Sequence, residues 1–174
     1  VAIGRANINL AKFPEINKIA PPAEQLTLAT LNSYMAQCYA MRAICYFYIA
    51  TVWGAAPIRT EPFLQYSSSP EGLRKPVDSV YAQVISDLTA AYNLTVKGST
   101  PTVWYIGEGA ICAMMADVYM WKKDYPNAIS WINKVFTAKG PKGTVHSGTS
   151  GANLEPAATW KNLFLTPAAT NEAI

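Results

Sequence analysis

Between Glu24 and Arg59 the only charged residue is Arg42. The stretch around it, LNSYMAQCYAMRAICYFYIATVWGAAP over residues 31–57, places Ala36, Ala40, Ala43, Phe47 and Ala50 at steps of four, three, four and three. That spacing is one face of a helix. A row of small side chains lets a second helix come close, because nothing long holds the backbones apart. Met35, Tyr39, Ile44, Tyr46, Tyr48 and Ile49 surround the row, so the other faces are apolar too. A helix apolar nearly all round is enclosed by other helices or by lipid.

Residues 34–53 have about the 20-residue length of a membrane span. Arg42 near the midpoint would cost roughly 2.5–3.5 kcal/mol there, and Asn32, Ser33 and Gln37 are polar. The buried reading is therefore favoured, and it requires a partner for the Arg42 cation. Sequence does not name that partner. Only 14% of the 174 residues are charged, against about 25% in ordinary soluble domains. A surface this poor in charge is expected to pack on more polypeptide.

The net charge of +3 comes without long basic runs, which excludes a nucleic-acid footprint. Cys38 and Cys45 are seven residues apart on one helix, about 10 Å at ~1.5 Å per residue, too far for a disulfide. Neither they nor Cys112 belong to a CxxC or His cluster, so no metal is expected and small buried thiols are. His146 is the sole histidine, beside Ser147 and Ser150 in a Gly/Ser/Thr loop; such a residue is expected to be solvated. Asp117 and Asp124 suggest no acid–base pair. No nucleotide loop or nucleophile elbow is present. No enzyme and no cofactor are expected.

In chain order, a first helix is expected from Val1 to about Lys12, stopped by Phe13-Pro14. The long helix covers about 25–53 and ends at Trp53-Gly54, with Pro57 beyond. Residues 59–75 read as a surface loop. Pro76-Val77-Asp78 opens a helix over about 77–93, with proline and an acid in its first turn. Further helices follow at about 107–122 and 126–138, then a Gly/Ser/Thr/Pro-rich loop over 139–158 and a short helical turn at 160–164. The whole of 1–174 reads as one helical region.

Ala116, Tyr119 and Ala128 carry the small–Tyr–Ala spacing of a tetratricopeptide (TPR) helix pair. The longer strings are more specific. AQCYAMRAICYFYIATVWGAAP resembles the helix signature AEARFLRAxxYFxLxxxWGxVP of the SusD/RagB family, through Ala36, Arg42, Ala43, Tyr46, Phe47, Trp53, Gly54 and Pro57. VYAQVISDLTAAYNL, EGAICAMMADVYMWKKDYPNAISWINKVF and WKNLF followed by TNEAI resemble the next three family segments, in order. Gln37, Ala40, Ala55-Ala56 and Lys123 depart from those patterns.

The resemblance implies an all-α fold of TPR-like antiparallel helix pairs forming an α-α superhelix. It further implies the helical N-terminal part of a longer protein, with NEAI opening a strand. As to function, it implies a non-enzymatic, lipid-anchored protein on the outer face of an outer membrane. That protein binds an oligosaccharide or other nutrient and hands it to a SusC-type TonB-dependent transporter, with the anchor outside these residues. Aromatic side chains on loops would stack on sugar rings, which makes Tyr66, Trp104, Tyr105 and Trp160 the candidate ligand contacts. Ala36, Ala40, Arg42, Ala43, Tyr46, Trp53, Gly54, Ala116, Tyr119 and Ala128 are expected to be structural, and Trp121 and Trp131 core. A general TPR-like protein-interaction scaffold is the alternative.

Overall fold

The computed structural model describes residues 1–64, 72–146 and 161–166. Its elements are α1 (Ala2–Ile19), α2 (Leu28–Trp53), α3 (Val77–Leu94), α4 (Glu108–Trp121), α5 (Tyr125–Thr137) and the single turn α6 (Asn162–Leu165). The all-α expectation holds, and no strand forms among the described residues, only isolated bridges. None of these helices is long and apolar enough to cross a membrane. The chain divides into two compact units, Val1–Leu94 and Thr95–Ile174.

In the first unit α2 is the central helix and packs on both α1 and α3. Its small-residue row explains this: Ala36, Ala40, Ala43 and Ala50 are all buried. Thr27 starts the helix, its Oγ1 accepting the Thr30 N–H at 3.2 Å. Gly54 ends it at φ 72°, donating its N–H to the Ala50 carbonyl. From α3, Val80, Tyr81, Val84, Leu88 and Ala91 complete the core.

One boundary differs from expectation. α1 does not stop at Phe13-Pro14 but runs through Pro14 to Ile19. Proline removes one hydrogen bond of the helix interior, and here Pro14 lies on the exposed side, where water can serve the freed carbonyl. Phe13 meets the ring of Tyr34 edge-on at 6.5 Å. Asn17, one turn later, binds both the N–H and the carbonyl of Leu26. These contacts hold the last turns of α1 against the start of α2.

In the second unit α4 and α5 form a helical hairpin. Lys122-Lys123-Asp124 makes the turn, with Lys123 at φ 59°, a conformation that glycine adopts more readily. A side chain in that region carries strain of about 1–2 kcal/mol. Asp124 then caps α5 through the Asn127 N–H and Nδ2. Ala116 and Ala128 are buried as the repeat spacing requires, with Ile111, Cys112, Met115, Val118 and Val135. Tyr119 is half-buried.

His146 is not a solvated loop histidine. Its main-chain N–H donates to the Ala138 carbonyl, and its ring lies against Gly109 of α4, where an added Cβ would stand 3.3 Å from Nε2. Two tryptophans also differ from expectation. Trp121 is exposed rather than core, and Trp131 is half-buried, with the Lys134 ammonium 3.6 Å from its ring centre.

Burial pushes the Cys112 thiol up to about 11, helped by the nearby Glu108 charge. In the unfolded chain a thiol ionises near its ordinary value of 9.0. Between those values the unfolded state has lost a proton that the folded state keeps, so stability falls as pH rises. Below 9 this group makes no such difference. The expected slope from it is about 1.4 kcal/mol per pH unit. Unfolding free energies from urea titrations of the protein and of Cys112→Ala, compared from pH 8 to 11, should diverge with that slope between 9.0 and about 11; parallel pH dependences would contradict it.

Candidate functional site

Of the four candidate ligand contacts, the structure places Trp104 and Tyr105 together. Tyr66 and Trp160 lie outside the described residues. Trp104 and Tyr105 sit on the connection from α3 to α4, in the second unit. The Tyr105 N–H donates to the Thr102 carbonyl at 3.2 Å, closing a turn with Val103 and Trp104 at its centre. Trp104 is 85% exposed and Tyr105 56%. An indole left this open to water is a large apolar surface available for stacking.

The turn stands on a closed base. Gly98, at φ 64°, donates its N–H to Glu108 Oε2 at 2.8 Å, which joins the two ends of the loop. Pro101 packs over Gly107 so closely that a Cβ there would come within 2.8 Å of the proline Cβ. Thr100 Oγ1 lies 3.1 Å from where a Cβ of Gly143 would be. Gly143 belongs to a second small turn, held by the Gly140 N–H to the Thr144 carbonyl and the Gly143 N–H to the Gly140 carbonyl. Burial lowers the Lys97 ammonium below its ordinary value, opposed by the Glu108 carboxylate.

Sequence reasoning missed a second aromatic pair. Tyr48 and Trp53, expected as packing residues, are 60% and 59% exposed. Their rings meet edge-on at 5.7 Å at the end of α2. They follow Met41 and Ile44 along an exposed apolar stripe of that helix. The apolar character of α2 was legible; which of its faces stays uncovered is a tertiary property that no local signal carries.

The polar centre of the first unit is structural. Arg42 is 5% exposed and Asp87 1%. Arg42 Nε and Nη2 donate to the two Asp87 carboxylate oxygens at 2.8 and 2.7 Å, and Nη1 donates to Asn7 Oδ1 at 2.8 Å and the Thr60 carbonyl at 3.2 Å. Asn7 Nδ2 reaches the carbonyls of Arg59 and Glu61. Tyr46 Oη donates to the Arg59 carbonyl and accepts the Arg59 N–H. Gln83 supplies a further bond to Asp87. Burial works against the Arg42 charge, and the Asp87 hydrogen bonds and charge more than offset it, leaving the guanidinium held above its ordinary value. Every buried side-chain nitrogen and oxygen among the described residues has a partner, so this cluster offers no unpaired group to a ligand. Among the described residues no three His, Cys, Asp or Glu side chains stand close enough to hold a metal ion.

A family model described as SusD-like, starch-binding and associating with the outer membrane matches residues 2–131. A SusD-like protein of Formosa agariphila is 32% identical over 127 residues, which are 72% of this chain and 22% of that protein. Among solved structures, a laminarin-binding SusD-like protein superposes with a TM-score of 0.69 at 22% identity, over 94% of this chain and 32% of its own. A SusD superfamily protein from Bacteroides vulgatus gives 0.65 at 22% identity, over 76% of this chain and 27% of its own. The chain thus spans well under half the length of the relatives it matches.

Proposed function

This chain belongs to the SusD-like family, and from that premise we propose that it is part of a cell-surface glycan-binding protein of an outer-membrane uptake system. The protein is held on the extracellular face by a lipid anchor. It binds an oligosaccharide without cleaving it and passes it to a SusC-type TonB-dependent transporter. The helices are the frame, and loop aromatics make the contact with sugar.

The observation that supports this reading is Trp104, 85% exposed on a closed loop. A pyranose ring presents an apolar C–H face, and stacking it on an indole replaces two hydrated surfaces by one dry contact. Tyr105 adds a second ring and a hydroxyl next to it. The laminarin-binding neighbour and the starch-binding family description indicate the polymers to try first.

Titration of the purified protein with soluble starch and with laminarin should show binding to one of them, the polymer being recovered uncut. Trp104→Ala should weaken that binding at least about tenfold, the loss expected of a central aromatic contact. Unchanged affinity in Trp104→Ala would remove Trp104 from the site.

A further inference from the structure

An exposed tryptophan on a loose loop makes a poor anchor. Binding would then have to order both its backbone and its side chain. Residues 98–108 avoid part of the backbone cost. The loop leaves and returns to one point, where the Glu108 carboxylate in the first turn of α4 reaches back ten residues to the Gly98 N–H at 2.8 Å. Hydrogen bonds to an ionised carboxylate are among the stronger ones. Gly98 can offer its amide there because glycine tolerates φ 64° without strain. Pro101 fills the space above Gly107, and Thr100 leans on the Gly143 turn. Trp104 stands at the centre of the turn that this base supports.

We propose that Glu108 is a positioning residue for glycan binding: its bond to the Gly98 amide closes the 98–108 loop and holds Trp104 in place before the sugar arrives. This rests on the reading of Trp104 as a glycan contact. Glu108 acts through the loop and not on the sugar, so its effect exists only while Trp104 is there to be positioned. A glutamine amide oxygen can accept the same bond more weakly than the carboxylate, so glutamine replaces it in part.

The test uses the protein with Glu108→Ala, Glu108→Gln, Trp104→Ala and the double variant Glu108→Ala/Trp104→Ala, titrated with soluble starch and laminarin. Amide hydrogen exchange is followed at Gly98. Glu108→Ala should weaken binding about fivefold, and Glu108→Gln should stay within about twofold of the parent. The double variant should bind no more weakly than Trp104→Ala, since the two changes remove one interaction. Gly98 exchange should accelerate at least about tenfold in Glu108→Ala. If Trp104→Ala weakens binding and Glu108→Ala does not, the positioning role is wrong and the glycan reading stands. If Glu108→Ala weakens the Trp104→Ala protein further, Glu108 touches the sugar itself and positioning is again wrong. Gly98 exchange indifferent to Glu108 refutes the closure independently of any sugar. If Trp104→Ala binds as the parent does, or neither polymer binds the parent, the glycan reading fails and the positioning role goes with it.

Discussion

Arg42→Met should lower stability by about 3–5 kcal/mol, the size of loss seen when one member of a buried ion pair is removed. The methionine is close in volume, so the loss is electrostatic rather than a cavity. Among the described residues Asp87, 1% exposed, would be left with its bond from Gln83 Nε2, and a buried carboxylate without a cation is costly. Asn7 Oδ1 and the Thr60 carbonyl would lose their donor as well. Urea unfolding followed by circular dichroism reads the effect as a fall in midpoint at constant slope. The double variant Arg42→Met/Asp87→Leu should recover at least half of the loss, because an apolar pair of similar volume can replace a buried ion pair at little cost. A single-variant loss under about 1 kcal/mol would mean that water reaches the pair.

Ala40→Leu should cost about 3 kcal/mol, the upper end for overpacking a filled core. Ala40 is fully buried on the central helix of its unit, in the row where neighbouring helices approach. The added atoms have no volume to enter unless the helices separate, and separation would strain the Arg42–Asp87 geometry alongside. For a chain of this size the thermal midpoint should fall by roughly 6–12 °C. Tyr48→Leu, on the exposed face of the same helix, is the control and should cost no more than about 1 kcal/mol, the worth of its edge contact with Trp53. Equal losses at the two positions would mean that the alanine row does not set the helix spacing.

These two substitutions also mark what was legible beforehand. The alanine row is periodic and local, so its burial could be read directly, as could the end of α2 at Gly54; its start, expected near residue 25, falls at Leu28 behind the Thr27 cap. The need for an Arg42 partner was equally plain. Its identity was not, since Asp87 lies 45 residues on and Asn7 35 residues back, and nothing in a window of sequence links them. Pro14 misled for a related reason: its cost is small where the freed carbonyl faces water, and exposure depends on the neighbours. Trp104 could be picked out as a loop aromatic from the punctuation around it. The closure beneath it could not, because Glu108 reads equally well as a routine acid in a helix first turn.

Asn7, Arg42 and Tyr46 hold residues 59–61 through one amide and three carbonyl groups. A grip on main-chain atoms is indifferent to residue type. Over evolutionary time Thr60 and Glu61 can therefore drift without the helices registering it, whereas Arg42 and Asp87 can change only as a couple. The crossing from α2 toward α3 is thus where this frame can take on new surface chemistry without being rebuilt.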